Sequence, residues 1–325
     1  MNFEGSIKVP PELIAQYPSK ERGSSRLLVV SRSRGILFDG TFNEGLKNFI
    51  EADDILIFND TKVINARLEV KTERGSSIDL LVIGPFHGVE WRGILKNLKR
   101  HKEGEKFLLR DTEILLKKKE LFFAYFTSTK DISDLIAQDG KPPIPLYIRK
   151  GRAVDIDSKR YQTVYAKKPG SIAAPTAGLH FSDESFEIIR KKNAKVAFLT
   201  LHVGPSSIAP YMKVCPEWFS IPQETVFLLK GPRKLLYAVG TTSVRALETF
   251  ALTRQTEAQT NLIIEPGYNF LLVDGFFTNF HLPDSSHIKI VSAHLGSERV
   301  IESYTYAIKN RFKFFSYGDC MMCIP

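Results

Sequence analysis

The sequence predicts an α/β fold in which a larger α/β domain carries an inserted small β-barrel domain. Strand and helix patterns alternate in both end regions of the chain, whereas short segments of alternating polarity fill the stretch between them. The length of 325 residues also favours two domains over one. We expect a discontinuous α/β domain at residues 1–68 and 142–325 and a barrel at residues 69–141.

The first elements lie between Arg26 and Leu68. Leu27 to Ser31 is an apolar run, glycines punctuate the stretch that follows, and Ile55 to Phe58 resumes the apolar pattern. We predict a strand, a turn, a short helix and a second strand.

The central stretch contains short segments typical of strands, separated by glycines and charged turns. They are Ser77 to Ile83, Val89 to Leu95, Lys106 to Leu109, Glu113 to Leu116 and Leu121 to Phe126. Two basic runs, Lys96 to Lys102 and Lys117 to Lys119, also lie here. They either contribute to binding a polyanion or protect strand edges from pairing with other chains.

After the prolines at 142–145 the pattern returns to alternating helices and strands. Asp183 to Asn193 is predicted as an amphipathic helix with Ser182 as its N-cap, and Lys195 to Val203 as a strand. The later predicted elements are a strand at Leu235 to Val239, a helix after Thr242, a segment at Asn261 to Ile264 that continues the α/β pattern, and a helix around Arg299 to Asn310.

The composition is that of a globular protein with a basic surface. Hydrophobic residues make up 43% and charged residues 25%, which excludes a disordered or fibrous chain. The formal charge of +9 favours a polyanionic partner such as RNA, although a generally basic surface would give the same number. No apolar segment is long enough to span a bilayer, and no secretory signal is visible at the N-terminus. We expect a cytoplasmic protein without a membrane partner.

The three cysteines do not predict a disulfide framework or a metal centre. Cys320 and Cys323 form a C-x-x-C pair, but no second pair of Cys or His lies nearby in the sequence to complete a zinc site. We expect incidental packing and no metal.

Polar residues follow the predicted strand that ends at Phe58. Asn59, Asp60 and Thr61 come directly after it, and Arg67 lies a little further on. Ligands of α/β sheets bind at the carboxyl ends of the strands, which makes these residues candidates for a binding site. An Asx turn that caps the strand explains the same residues without a ligand.

Two histidines lie in segments that favour a functional site. His180 ends a loop of small residues that includes Thr176 and Gly178, and His202 follows the predicted strand that starts at Lys195. A histidine titrates near neutral pH and can move a proton, although a single histidine is more often structural.

A strand, a tight turn and a helix start are predicted around Gly240. Unpaired amides at that helix start, with Thr241, Thr242 and Arg245, are suited to hold a carboxylate or a phosphate. In the alternative interpretation a threonine only caps the helix, and Arg245 forms an exposed pair with Glu248.

Two polar turns close the chain. One contains His281, and the other contains Tyr317 and Asp319 beside aromatic and basic residues. These aromatics either stack on bases or form the docking face of a C-terminal helix.

Six segments taken together resemble one enzyme family. They are Asn59-Asp-Thr-Lys-Val, Ala174-Pro-Thr-Ala-Gly-Leu-His-Phe, Leu201-His-Val-Gly, Val239-Gly-Thr-Thr-Ser-Val-Arg-Ala-Leu-Glu, Thr278-Asn-Phe-His-Leu-Pro and Phe315-Ser-Tyr-Gly-Asp. In this order and spacing the chain resembles the S-adenosylmethionine:tRNA ribosyltransferase-isomerases of queuosine biosynthesis. The resemblance covers nearly the whole sequence and implies the same α/β domain with an inserted barrel.

The resemblance also implies an activity. Such enzymes transfer and isomerise the ribosyl part of S-adenosylmethionine onto 7-aminomethyl-7-deazaguanine at the tRNA wobble position, giving epoxyqueuosine-tRNA, adenine and methionine. No metal or redox cofactor is implied, since S-adenosylmethionine is a substrate. The partners are then tRNA and S-adenosylmethionine, and we expect a monomer.

The reaction needs a base and assistance to the leaving adenine. Histidines and a carboxylate are the natural candidates for this proton transfer, namely His180, His202, His281 and Asp319. The expected substrate-binding residues are Asn59, Asp60, Thr61, Arg67, Thr176, Gly178, Gly240, Thr241, Thr242, Arg245, Glu248 and Tyr317.

The sequence departs from the family pattern after Gly204. Pro205-Ser206-Ser207-Ile208 stands where the family continues with Gly-Thr-Phe from position 206, and Cys215 stands where a histidine is usual. Lys289 and His294 replace residues that are usually apolar. Two other functions remain open: a catalytically weakened homologue that binds tRNA, and a general nucleotide-binding enzyme built on the Gly240-Thr-Thr turn.

Overall fold

The computed structural model describes residues 7–205, 216–283 and 285–325. The strands in these ranges are β1 (Arg26–Ser31), β2 (Gly35–Thr41), β3 (Ile55–Asn59), β4 (Thr61–Val63), β5 (Arg67–Thr72), β6 (Ser77–Gly84), β7 (Glu90–Leu95), β8 (Lys106–Leu109), β9 (Thr112–Lys119), β10 (Ala124–Ser128), β11 (Lys168–Ser171), β12 (Lys195–Leu201), β13 (Glu217–Ser220), β14 (Leu236–Val239), β15 (Glu257–Thr260), β16 (Gly275–Asn279) and β17 (Cys320–Ile324). The fold is mixed α/β with a closed barrel, as the sequence predicted.

The helices are short. The α-helices are α1 (Phe42–Phe49), α2 (Ile132–Asp139), α3 (Asp155–Arg160), α4 (Asp183–Lys191), α5 (Gln223–Lys230), α6 (Thr241–Thr253), α7 (Ser286–Leu295) and α8 (Ser297–Lys309). The 3₁₀ turns are Pro11–Leu13, Leu98–Arg100, Arg149–Gly151 and Thr176–His180. No helix in the described ranges is long and apolar enough to cross a membrane.

The large sheet has nine strands in the order β15-β13-β12-β3-β14-β16-β17-β1-β2. The four strands β12, β3, β14 and β16 run parallel to one another. Their carboxyl ends therefore meet at one edge of the sheet. The residues at this edge are Asn59, His202, Gly240 and Asn279, which end or directly follow these four strands.

The sheet is buried on both faces, and alternate side chains of its inner strands join different clusters. Leu28 and Val30 of β1 lie in one hydrophobic cluster, while Leu27 and Val29 lie in another. Helices α1 and α4 supply residues to the second cluster, and helices α5 to α8 supply residues to the first. Strands covered on both faces are expected to be continuously apolar, as β1 is.

The barrel is closed by six strands in the order β10-β7-β6-β5-β8-β9. It lies in the sequence between β4 and β11, which pair in parallel with each other. Trp91 and Phe126 stack inside it with ring centroids 4.9 Å apart, and the Trp91 indole donates to the Ser128 hydroxyl. The barrel strands run from Arg67 to Ser128, so the first of them starts inside the range predicted for the α/β domain.

Most predicted elements exist, with shifted ends. Ser182 accepts from the Ser185 amide and is the N-cap of α4, as predicted. Strand β12 ends at Leu201, two residues before the predicted end. The predicted continuation of the pattern at Asn261 to Ile264 corresponds to no helix or strand. The Leu262 carbonyl there accepts a hydrogen bond from the Arg245 side chain. This backbone oxygen is therefore occupied by a side chain and not by a neighbouring strand.

Candidate active site

The parallel edge of the sheet opens into a cavity of about 440 Å³. Its wall includes the residues that follow β14 and β16 and the start of helix α7. Among the predicted site residues, those that line it are Thr176, Gly240, Thr241, Thr242, Arg245 and His281. The cavity is large enough for a small-molecule substrate, and its place agrees with the usual position of ligands in α/β sheets.

Two histidines form a stacked pair on this wall. The rings of His281 and His287 have centroids 4.6 Å apart and planes 23° apart. His281 Nε2 is 2.7 Å from the Thr278 hydroxyl, and His287 Nδ1 is 2.9 Å from the Thr241 hydroxyl. Each ring is thus held by one hydroxyl and by the other ring.

Burial keeps both imidazoles neutral. It lowers the pKa of His287 to about 4, with the Arg245 charge acting in the same direction. Burial and then the neighbouring His287 hold the pKa of His281 well below its ordinary value. Two stacked cations would repel each other, so both imidazoles are neutral at neutral pH.

The polar end of the cavity contains a buried ion pair. Arg245 donates to the Glu217 carboxylate, and both side chains are almost completely buried. The Gly204 amide donates to the other Glu217 oxygen at 2.8 Å, and Arg245 Nε donates to the Leu262 carbonyl at 3.0 Å. A second pair, Lys289 with Glu265 at 2.5 Å, is about half exposed at the same wall.

The opposite end of the cavity is mainly apolar and aromatic. Tyr147 packs against Phe315 with ring centroids 4.9 Å apart, and its hydroxyl is 2.6 Å from the Ser316 hydroxyl. Tyr161 and the small residues at 173–175 complete this end. Burial raises the pKa of Tyr147 to about 12, so this phenol stays protonated at neutral pH.

Helix α6 begins at the cavity in an unusual backbone conformation. Gly240 precedes it with φ +92°, in the region that favours glycine. No side chain caps the helix. Thr241 is bonded to His287, and Thr242 is 3.5 Å from Asn59 Nδ2, so the alternative in which a threonine caps α6 is wrong.

Comparison with known proteins identifies the family. The family model described as queuosine biosynthesis protein matches residues 5–323. The proteins called S-adenosylmethionine:tRNA ribosyltransferase-isomerase from Sulfurihydrogenibium sp., Azoarcus sp. and Aromatoleum aromaticum are 38%, 39% and 41% identical, over 97%, 97% and 96% of this chain and 97%, 94% and 94% of their own lengths. This chain belongs to the queuosine biosynthesis protein family.

A solved structure of a family relative has the same fold. The crystal structure of S-adenosylmethionine tRNA ribosyltransferase from Thermotoga maritima superposes with a TM-score of 0.57 at 32% identity. The match covers 98% of each chain. The two proteins therefore share a fold over nearly their whole length.

Several residues of the family motifs connect parts of the fold and do not line the cavity. The side chain of Asn59 accepts from the amides of Thr61 and Leu201 and donates to the Leu201 carbonyl, which joins β3 to the end of β12. The bond to Thr61 is the Asx turn of the alternative interpretation. Asp60 accepts from the Thr200 hydroxyl at 2.6 Å.

The histidine of the Leu201-His-Val-Gly motif lies beside the cavity. His202 stacks on Trp218 with centroids 5.0 Å apart, and its Nδ1 is 2.8 Å from the Thr61 hydroxyl. Burial lowers its pKa, while the Asp60 charge opposes this change. Its neighbour Val203 lines the cavity.

His180 is fixed behind the cavity wall. Its Nδ1 is 2.7 Å from the Ser25 hydroxyl, and its Nε2 is 3.2 Å from Asn279 Nδ2. Burial lowers its pKa to about 4. A neutral ring that accepts at Nε2 carries its proton on Nδ1, so His180 donates to Ser25.

Arg67 and Glu248 have structural partners. Arg67 pairs with Asp79 on the barrel and donates to the Ile144 carbonyl. Glu248 accepts from the amides of residues 271–273 and from the Tyr268 hydroxyl. The alternative in which Arg245 and Glu248 form an exposed pair is wrong, because both are buried and bonded elsewhere.

The remaining predicted residues also have structural partners. Asp319 accepts from the amides of Arg26 and Lys313, and Tyr317 donates to Asp157. A Cβ on Gly178 would lie 2.0 Å from the Tyr165 hydroxyl. Any side chain at this position would clash, so the glycine allows Tyr165 to pack closely against the backbone.

The sequence patterns do not predict Glu217, Asn279 or His287 as site residues. Asn279 ends a strand within a family motif, which is the same signal that had selected Asn59. Glu217 opens a short strand far from Arg245 in the sequence, and no local pattern joins the two.

The two replacements in helix α7 have different surroundings. Lys289 lines the cavity. His294 is buried against Phe270 and Phe276 and bonded to the Asp274 carbonyl. Of the departures after Gly204, only Pro205 lies inside the described residues, and 206–208 and Cys215 lie outside them.

Proposed function

We propose that this chain transfers and isomerises the ribosyl part of S-adenosylmethionine onto 7-aminomethyl-7-deazaguanine at the tRNA wobble position, releasing adenine and methionine. The observation that carries the proposal is the near-complete match to relatives called S-adenosylmethionine:tRNA ribosyltransferase-isomerase at 38–41% identity. The cavity supports it, because one chamber offers both an apolar end for a base and a charged end for polar groups.

The chemistry requires a proton acceptor near the donor ribose. A sulfonium acidifies the adjacent C5′ proton, and a neutral imidazole is a suitable base for it. His281 and His287 line the cavity and are neutral because of their burial. We assign the proton transfer to this pair, with His281 as the member that belongs to a family motif.

The cationic side chains suit the anionic parts of the substrates. Arg245 has bonds to Glu217 and to the backbone, so its position is fixed before a ligand arrives. Lys289 is more exposed and lies on the same wall. A fixed guanidinium and a more exposed ammonium together favour a carboxylate such as that of the methionine part.

The tRNA partner agrees with the charge of the chain. A formal charge of +9 attracts a polyanion, and exposed basic residues lie on the barrel around Lys99. S-adenosylmethionine is the donor substrate, and the proposed reaction includes no resident metal or redox cofactor.

The test is product formation with defined RNA. The purified chain is incubated with S-adenosylmethionine and a tRNA that carries 7-aminomethyl-7-deazaguanine at the wobble position, and adenine and methionine are quantified. We expect both products in equal amounts. A matched tRNA with guanine at that position is the control and should give neither.

Two results would contradict the proposal. Binding of the modified tRNA without adenine release would favour a homologue that binds RNA but does not react. Release of adenine without any RNA would favour a general nucleotide-processing enzyme.

A further inference from the structure

The amide oxygen of Asn279 is a buried acceptor in the wall of the cavity. Asn279 ends β16, is 1% exposed and lines the cavity. Its Oδ1 has no hydrogen-bond partner among the described residues. Buried polar atoms in proteins are nearly always paired, and leaving one unpaired costs free energy. A donor on a bound ligand would satisfy this oxygen.

The orientation of the amide is fixed by its nitrogen. Asn279 Nδ2 lies 3.0 Å from the Phe315 carbonyl and 3.5 Å from the Ser316 carbonyl, and 3.2 Å from His180 Nε2. The reversed amide would place its oxygen against two carbonyl oxygens, where no hydrogen is available to bond. The acceptor role of Oδ1 is therefore imposed by the backbone of residues 315–316 and by His180.

The surroundings of Asn279 suit a flat heterocycle. The backbone of residues 315–316 that holds its amide also carries the aromatic end of the cavity, where Tyr147 packs on Phe315. The charged residues lie at the other end of the cavity. A single acceptor beside apolar and aromatic surfaces matches a base that has one donor group on its edge.

We propose that Asn279 Oδ1 accepts a hydrogen bond from the exocyclic amino group of the donor's adenine and makes the site selective for that base. The inference rests on the proposed function, since S-adenosylmethionine supplies the adenine. A base with an oxygen in place of the amine would set an acceptor against an acceptor. Such a mismatch rejects a ligand more strongly than a lost methyl group does.

The first experiment varies the ligand and leaves the protein unaltered. The dissociation constant of S-adenosylmethionine is compared by calorimetry with those of counterparts that carry purine or hypoxanthine in place of adenine. Loss of a hydrogen bond to a buried acceptor predicts roughly tenfold weaker binding of the purine counterpart. The hypoxanthine counterpart should bind more weakly still. Equal affinity of all three would overturn the proposal.

The second experiment adds Asn279→Ala. This variant should weaken binding of S-adenosylmethionine by roughly tenfold and leave binding of the purine counterpart unchanged, because that ligand has no amine to lose. Equal weakening of both ligands would overturn the assignment and leave Asn279 as a structural residue. A third ligand is the counterpart of S-adenosylmethionine that carries 2′-deoxyribose. If Asn279→Ala weakens binding of S-adenosylmethionine but not of this counterpart, the oxygen bonds to the ribose and the proposal is also overturned.

Asn43→Ala is the matched control. Asn43 is also a buried asparagine, but it bonds to Glu184 and Ser185 of α4 and does not line the cavity. It should lower the thermal midpoint without changing either dissociation constant. If Asn279→Ala does not fold, equal affinity of the three donors for the unaltered chain still overturns the proposal.

Failure of this inference is separable from failure of the proposed function. Adenine release from S-adenosylmethionine with the modified tRNA is measured first on the unaltered chain. If adenine is released and the three donors bind equally, the proposed function stands and the role of Asn279 is wrong.

Discussion

His281 and His287 stack with ring centroids 4.6 Å apart, and each ring is bonded to a threonine hydroxyl at the cavity wall. The arrangement separates His281 from the other two histidines of the family motifs, which do not line the cavity. His180 is held by Ser25 and Asn279, and His202 by Thr61.

We expect His281→Asn to lower the single-turnover rate of adenine release by at least tenfold, because removal of an acid–base group typically costs two to four orders of magnitude, or ~10²–10⁴. The measurement uses rapid quench with saturating S-adenosylmethionine and modified tRNA. His202→Asn is the control and should lower thermal stability while changing the rate by less than about threefold. Equal rates for the His281 variant and the unaltered chain would remove it from the reaction.

Burial of the histidines predicts a stability that depends on pH. In His180 and His287 the pKa is lowered from 6.5 to about 4, so the unfolded chain binds more protons than the folded chain between these values. The free energy of unfolding should therefore fall as the pH is lowered from about 6.5 towards 4. Asp319, whose pKa is raised by burial, acts in the opposite direction over the lower part of this range.

Urea unfolding at a series of pH values measures this effect. His180→Asn should flatten the profile between pH 6.5 and 4, since one depressed group is removed. His87→Asn, which changes an exposed histidine of the barrel, should leave the profile as it was. A profile that rises as the pH falls through this window would contradict the assignment.

Arg245 and Glu217 should be strongly coupled. Arg245→Met leaves a buried carboxylate without its partner, which typically costs about 3–5 kcal/mol of unfolding free energy. The double variant Arg245→Met/Glu217→Leu removes both charges and should recover part of that loss. These two variants and the single variant Glu217→Leu are measured by urea unfolding.

Arg299→Met supplies the control for this cycle. Arg299 pairs with Glu302 on the surface, and exposed pairs contribute ~0–1 kcal/mol. If the losses of the single Arg245 and Glu217 variants simply add in the double variant, the ion pair does not couple them.

The sequence predicted which residues lie at the edge of the sheet better than it predicted which side chains line the cavity. Asn59, His202 and Gly240 are predicted site residues because polar residues or glycine follow apolar strands, and these strands are parallel neighbours in the fold. Sequence order could not tell which side chains turn towards the cavity. Asn59 is used to join two strands, whereas Asn279, at the same edge, keeps an oxygen free.

Contacts between distant segments account for the rest. Glu217 pairs with Arg245 because the fold places β13 beside β12 in the sheet. No hydrophobic periodicity or local motif in the sequence predicts that ion pair. His287 lies in the first turn of α7, where the sequence gives no functional signal. Such residues become visible when the fold places the two segments side by side.

Affinity for tRNA should fall steeply with salt. Each phosphate contact contributes a slope of roughly 0.7–0.9 in the logarithm of affinity against the logarithm of salt. Lys99 and Arg100 are exposed and have no salt-bridge partner in the described part of the barrel. Lys99→Glu/Arg100→Glu should therefore weaken binding and lower the slope by about 1–2.

A second charge-reversal variant controls for net charge. Lys117 and Lys118 pair with Glu90 and Glu120, so Lys117→Glu/Lys118→Glu alters the total charge equally at residues that already have anionic partners. We expect a smaller change of slope, measured by filter binding between 50 and 200 mM salt, about the range over which such contacts lose most affinity. Identical slopes for both variants would assign the effect to total charge.

The segment that departs from the family pattern begins and ends at the cavity. Val203 lines the wall, the Gly204 amide donates to Glu217 at 2.8 Å, and Glu217 is the partner of Arg245. Residues 206–215 connect these two points along the chain. Changes in this segment should therefore affect the pocket and not the fold.

The composition of the segment predicts slower turnover or an altered substrate preference. Ser206 in place of glycine restricts how closely the backbone approaches a ligand, and Pro205 removes a backbone donor. Cys215 in place of histidine removes a group that titrates near neutral pH. Substituting Ser206→Gly, Ser207→Thr, Ile208→Phe and Cys215→His restores the usual residues, with and without replacement of Pro205. We expect faster adenine release with modified tRNA at an unchanged thermal midpoint. No gain in rate or in donor affinity would mean that this chain works equally well with the residues it has.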